Sequence, residues 1–320
     1  MTRKIVLMLT LLMFAVAAPV FAQSLAGKKV LAVDAYHEGY PWSDGIVKGV
    51  QDALKGSGVE LKVARMDTKR NNAESFAKEA GQKVKALIDS YRPDVVIVAD
   101  DNSTKYVLMP FYKNGTLPFV FCGINWDASI YGLPYKNATG MIEVALITQL
   151  IDTLKGYSKG TRVGLLTSDV ETEHKDALYY KKLFNITFSS ERYVKTFSAW
   201  KDAYKSMQND VDIIIVSNNA GISGWNEAEA ASWALSHAKV PTGTIYDFMM
   251  PYAMVGMAKS AEEQGIWAAQ TALKILGGAS PSSIEIAKNK KEDLMLNVKI
   301  ASKAGIVFKP ALVTNAKIIK

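Results

Sequence analysis

The amino-acid sequence predicts an α/β protein of two doubly wound parallel-sheet lobes joined by a three-strand hinge. β-branched runs alternate with amphipathic helical stretches from Lys29 to Ile245, the alternation that puts helices on both faces of a parallel sheet. The run Val95-Val96-Ile97-Val98-Ala99 is apolar at every position, as strands buried on both faces are. The alternation passes through two comparable series, and a length of 320 residues favours two domains.

Taken in order, the chain opens with Thr2-Arg3-Lys4, an apolar run over 5–16 and Val20-Phe21-Ala22. These are the three parts of a secretory signal over 1–22, with cleavage expected after Ala22 and the mature protein working in the periplasm. No other stretch approaches the ~20 apolar residues that span a bilayer, so no direct membrane insertion is expected after cleavage. Arg3 and Lys4 leave with the leader, which lowers the formal charge from +7 to +5. Lys288-Asn289-Lys290-Lys291 is a short basic run that reads as a solvated loop. A nucleic-acid partner would need clustered basic residues with stacking groups between them. The single cysteine, Cys122, excludes an internal disulfide and lies too far from the cleavage site to carry a lipid. Its place at the end of an apolar strand reads as buried and inert.

The first lobe is expected to hold strands over 30–34, 60–64, 95–99 and 118–122, with helices over 43–54, 72–91 and 103–111. The second series has helix 142–154, strand 162–166, helix 173–183, strand 193–197, helix 199–207, strand 211–216, helix 226–237 and strand 241–245. A helix over 258–276 follows, stopped by Gly277-Gly278. An extended stretch over 283–297 and a helix-strand segment around 301–319 complete the chain. These last pieces are too small for a third domain. The chain therefore crosses between the lobes three times, near 127–141, 247–254 and 293–297. Lobe 1 is expected over 23–130 plus 252–292, and lobe 2 over 138–247 plus 296–320.

Polar and aromatic residues collect just after the strands, where open α/β sheets place their ligands. The first strand is followed by Tyr36, His37, Tyr40, Trp42 and Ser43, the third by Asp100, Asp101 and Asn102, and the fourth by Asn125 and Trp126. In the second lobe the matching positions hold Ser168, Asp169, Ser217, Asn218 and Asp247. Two such facing sets of loops form a cleft for a small-molecule ligand. The run 100–104 can cap the following helix or do so while also presenting a carboxylate to a ligand. Ser43 and Asp44 can likewise cap the first helix, whose amides and dipole also attract a ligand carboxylate. A loop containing Gly39 and Pro41 cannot bury Tyr36, Tyr40 and Trp42 without a pocket or a partner lobe, so these rings are read as stacking on a planar or apolar group. His37 is read as hydrogen-bonding or structural. Three dispersed histidines and one cysteine do not form a zinc or copper ligand set. No nucleophile elbow, phosphate-cradling loop or zinc-protease helix is present, so neither an enzyme nor a cofactor is expected.

Asp34 to Asp44, Met66-Asp67-Thr68-Lys69-Arg70, Ala99-Asp100-Asp101-Asn102, Val120-Phe121-Cys122-Gly123-Ile124-Asn125 and Asn137-Ala138-Thr139-Gly140 together resemble the ABC transporter substrate-binding proteins of the type I periplasmic fold. More narrowly, they are similar to the branch that also serves as the extracytoplasmic sensing module of histidine kinases and diguanylate cyclases. The resemblance implies two lobes closing on a small solute, with relatives that bind aromatic amino acids, and an ABC permease as partner. A membrane sensor is the alternative partner. An aromatic or amino-acid-like solute would meet the rings of the first loop, an acid from Asp100 or Asp101 for its ammonium, and Ser43, Ser168 and Asn218 for its carboxylate. A hydrolase using the cleft carboxylates is the rival reading, distinguished by turnover of the ligand.

Overall fold

The computed structural model describes residues 25–71 and 73–319; the expected leader lies outside the described residues. The first sheet is built from β1 (Lys29–Asp34), α1 (Pro41–Leu54), β2 (Glu60–Arg65), α2 (Glu74–Tyr91) and β3 (Val95–Ala99). A helical segment follows as α3 (Asp100–Ser103), a π-helical stretch (Thr104–Leu108) and α4 (Met109–Tyr112), leading to β4 (Phe119–Asn125) and β5 (Ala138–Glu143). The second sheet takes α5 (Ile147–Lys155), β6 (Val163–Ser168), α6 (Glu171–Phe184), β7 (Ser190–Val194), α7 (Phe197–Asp210), β8 (Ile213–Val216), α8 (Glu227–His237), β9 (Thr242–Thr244) and β10 (Val255–Lys259). The chain returns along α9 (Ala261–Leu276) to β11 (Ala287–Lys288), then crosses into β12 (Glu292–Asn297), α10 (Val298–Lys303), α11 (Pro310–Thr314) and β13 (Lys317–Ile319).

The strand orders are β11-β5-β4-β3-β1-β2 and β13-β12-β10-β9-β8-β6-β7. Pairing is parallel throughout the described sheets except between β10 and β12, where Val255 faces Leu296 and Lys259 faces Glu292. In each sheet the order reverses beside the first strand, between β1 and β3 and between β6 and β8. Loops on either side of such a reversal diverge and leave a crevice at the carboxyl ends of the strands. No helix among the described residues is long and apolar enough to cross a membrane.

Three assignments made from the sequence differ from this architecture. Residues 138–143 were expected in the second lobe, with a helix starting at 142, yet Ile142 and Glu143 pair with Ile124 and Asn125 in the first sheet. Residues 252–259 were expected in the first lobe, with a helix from 258, yet β10 lies in the second sheet between β9 and β12. A short apolar strand running straight into a helix shows no change of pattern in the sequence, so only its distant ladder partners reveal it. Phe197 was expected to end a strand. It begins α7 instead, because Thr196 accepts a hydrogen bond from the Ala199 amide at 3.3 Å and so caps a helix there.

The core of the first sheet's outer face depends on unusually close approach of α1 and α9. An added methyl at Gly49 would lie 2.4 Å from the Glu262 carbonyl oxygen, and one at Gly265 would lie 2.0 Å from that of Ile46. A glycine of each helix lets the backbone of the other approach. Ala268, Ala269 and Ala272 continue this small-residue face and are fully buried. Gly265→Ala should therefore lower the unfolding free energy by about 1–3 kcal/mol through overpacking, measured by chemical denaturation. Gly277→Ala, whose methyl would meet nothing nearer than 3.4 Å, should stay within about 0.5 kcal/mol of the parent. Equal stability of both variants would contradict the close-packed seam.

Candidate functional site

The loop after β1 is pinned from below by a buried acid. Asp34 accepts from Arg65 Nη1 at 2.7 Å, from Ser43 Oγ at 2.7 Å and from the Tyr36 amide at 3.2 Å. Arg65 also reaches Asp44 at 3.0 Å, and Asp44 accepts from the Gly39 amide at 2.8 Å. Ser43 and Asp44 thus hold the loop in shape, and neither caps α1, which has no side-chain cap. On the loop itself Tyr36 and Tyr40 meet edge to face with ring centres 5.4 Å apart. The Lys69 ammonium stands 5.0 and 5.1 Å from those two rings. His37 lies against Tyr40 and bonds the Glu38 carbonyl oxygen through Nδ1 at 2.9 Å.

Trp42 points down from this loop and donates Nε1–H to Asp100 Oδ1 at 3.0 Å. Asp100 is 2 % exposed, its φ is +69°, and its second oxygen has no hydrogen-bond partner. Burial raises its pKa well above the usual carboxylate value, and the charge of Glu143 adds to the effect. Gly123 faces it, where a methyl would lie 2.9 Å from Asp100 Oδ1. Asp101 accepts from Asn125 Nδ2 and from Tyr131 O–H, each at 2.8 Å. Asn102 donates to Thr68 Oγ1 at 2.9 Å. The run after β3 therefore builds a network and does not cap α3 through its side chains.

Trp126 connects the two halves. It follows β4 in the first sheet with φ +64°, a left-handed conformation costly for a bulky residue. Its ring stacks on Tyr179 of α6 at 5.4 Å and an interplanar angle of 4°, and its Nε1–H donates to Asp176 Oδ1 at 3.0 Å. Tyr246, just after β9, donates to the other Asp176 oxygen at 3.4 Å. Burial, reinforced by the charge of Glu173, raises the Asp176 pKa to about 6 against the donors Trp126 and Tyr246 and the charge of Lys259. Glu173 is itself buried and accepts from Thr167 Oγ1 at 2.5 Å and Ser217 Oγ at 2.8 Å. Glu143, at the end of β5, pairs with Lys259 at the end of β10, so this ion pair also joins the two sheets. The Lys259 ammonium stands 5.7 Å from the Trp42 ring centre. A cavity of about 720 Å³ opens beside this group, lined by Tyr40, Trp42, Tyr246, Asp247, Lys259 and Asp293 among others.

Of the residues singled out from the sequence, Tyr40, Trp42 and Asp247 line the cavity. Tyr36, Asp100, Asp101, Asn125 and Trp126 belong to the networks behind it. Ser168, Asp169, Ser217 and Asn218 do not line it. Asp169 is held by His174 at 2.7 Å and Lys195 at 3.4 Å, and Asn218 Oδ1 accepts from the Ala220 amide at 2.9 Å within its own turn. Ser168 Oγ is buried and without a partner. Glu143, Asp176, Tyr179, Tyr246 and Lys259 were not singled out. Only Tyr246 had a legible signal, being the aromatic residue beside Asp247 at the end of a strand.

The structure resembles several solved proteins at identities that establish a shared fold only. A ligand-free, open substrate-binding protein with adhesive properties from Clostridium difficile superposes with a TM-score of 0.69 at 16 % identity, over 92 % of this chain and 99 % of that one. A Streptococcus pneumonia ABC domain in complex with L-Trp gives 0.56 at 18 % identity, over 91 % and 99 %. An ABC transporter solute-binding protein from Bradyrhizobium sp. BTAi1 with bound bis-tris gives 0.55 at 17 % identity, over 88 % of each chain. No curated protein sequence matches the chain significantly. The family model for ABC transporter substrate binding proteins matches residues 32–320. With nearly every described residue inside that match, the chain belongs to the ABC transporter substrate-binding protein family, whose members bind solutes and are not enzymes.

Proposed function

We propose that this protein captures a small solute with a flat aromatic body between its two sheets and hands it to an ABC permease. The observation that carries this reading is the set of rings at the cavity: Tyr40 and Trp42 from one sheet face Tyr246 from the other. A volume of about 720 Å³ falls within the ~300–1,000 Å³ of small-molecule sites. The L-Trp held by the pneumococcal protein of the same fold is a solute of this shape. Closure is supported by contacts that run between the two sheets. Trp126 on Asp176 and Tyr179, and Glu143 on Lys259, are such contacts. A solute that touches both sides adds to them and shifts the balance toward the closed form by its preference for that form.

Titration with aromatic solutes, followed by calorimetry, should reveal one that binds and is released chemically unchanged. Trp42→Ala and Tyr246→Ala should each weaken that solute about tenfold, since a lost stack plus its buried area amounts to roughly 1.4 kcal/mol. Unchanged affinity in both variants, or conversion of the solute, would overturn the proposal.

The clasp on Asp176 also sets a pH dependence. Its carboxyl pKa is raised from 3.8 to about 6 in the folded protein, so the native state holds that proton more tightly than the unfolded chain. Stability from this group is greatest at low pH and falls as pH rises from about 4 to about 6. Asp176→Asn keeps an acceptor for Trp126 and removes the charge. It should stabilise the solute-free protein at pH 7.5 by about 1–2 kcal/mol, allowing for partial solvent screening, with a smaller gain at pH 4.5. Urea unfolding at the two pH values checks this, and a variant less stable than the parent at pH 7.5 would contradict the assigned cost.

A further inference from the structure

We infer that the captured solute is a net-cationic amine lacking a free carboxylate, and that the cleft rejects the corresponding α-amino acid. This rests on the aromatic-solute reading above and names the charge of that solute.

At helix N-termini where a carboxylate would ordinarily be received, the protein carries acids of its own in the first turn. Helix N-termini at the carboxyl ends of strands attract anions through free amides and the helix dipole. Here α1 carries Asp44 in its first turn, and α6 carries Glu171 and Glu173. Ser43, which would have offered a hydroxyl, is buried and turned onto Asp34.

Three of the basic side chains around the cleft are committed as well. Arg65 spans Asp34 and Asp44, and Lys259 is paired with Glu143. Lys69 rests on the rings of Tyr36 and Tyr40. At the cavity wall Asp247, Glu262, Glu292 and Asp293 face only Lys259 and Lys317. Behind the wall, Asp176 has neutral donors from Trp126 and Tyr246, and one oxygen of the buried Asp100 has no donor at all.

A carboxylate brought into this field meets like charge and is repelled. An ammonium relieves it. The negative faces of the aromatic rings favour the same sign, although Lys259 already stands over Trp42 and Lys69 over Tyr36 and Tyr40. Cation–π attraction is strongest where the cation is desolvated.

Isothermal titration at pH 7.5 with tryptamine, L-tryptophan and indole-3-propionate separates charge from ring shape, and tyramine against L-tyrosine repeats the comparison. In at least one pair the amine should bind about tenfold or more tightly than its amino acid, and the anion should show no measurable binding. Glu143→Gln and Asp176→Asn should each weaken the amine about tenfold and narrow its advantage over the amino acid. The folding of each variant is checked by its denaturation curve. Amino acids that bind as tightly as their amines in both pairs overturn the inference and leave the aromatic reading standing. Amines that fail to bind also overturn it, and a sugar bound in their stead removes the aromatic reading too.

Discussion

Carboxylates gathered between the two sheets outnumber the cations beside them, and the behaviour of the cleft follows from that imbalance. Asp100, Asp101, Glu143, Glu173 and Asp176 all lie in this region, and Lys259 is the cation paired there. A buried charge is tolerated when paired and hydrogen-bonded, and is costly otherwise. The protein supplies neutral donors: two indoles, two phenols and the hydroxyls of Thr167 and Ser217. Such donors stabilise each carboxylate without cancelling the repulsion among them. Burial first, and the neighbouring carboxylates second, raise the pKa values of Asp100 and Asp176.

The fold places these groups opposite one another through its two chain reversals. Strand order turns beside β1 and beside β6, so the loops that follow diverge and face across the gap. The antiparallel β10–β12 pair lies beside that gap and carries Lys259 at its end. Two non-glycine residues, Asp100 and Trp126, take left-handed backbone conformations at the cleft. Such conformations cost roughly 1–3 kcal/mol and persist where surrounding contacts over-determine them. Here those contacts are the Trp42 indole for Asp100, and the α6 stack for Trp126.

Much of this was legible in the sequence, and what escaped did so for definite reasons. β3 declared itself because burial on both faces leaves an unbroken apolar run. The loop carrying Tyr36, Tyr40 and Trp42 was legible because three rings around Gly39 and Pro41 fit no ordinary element. Glu143 and Lys259 were not, because each ends a short strand that merges into a helix without a change of pattern. Asp176 and Tyr179 sit within α6, and which face of that helix meets the first sheet is decided only when the lobes pack. Asn218 and Asp169 occupied the right positions along the chain, yet the first folds onto its own turn and the second onto His174 and Lys195. A polar residue after a strand can serve its own loop as readily as a ligand.

The most direct test is a crystal structure of the protein loaded with the solute that binds it best. The account predicts density for one guest between the sheets, its ring against Trp42 and Tyr246 and its positive group turned toward the acids of the cleft. A guest on an outer face, or one whose carboxylate points into that acidic group, would contradict it.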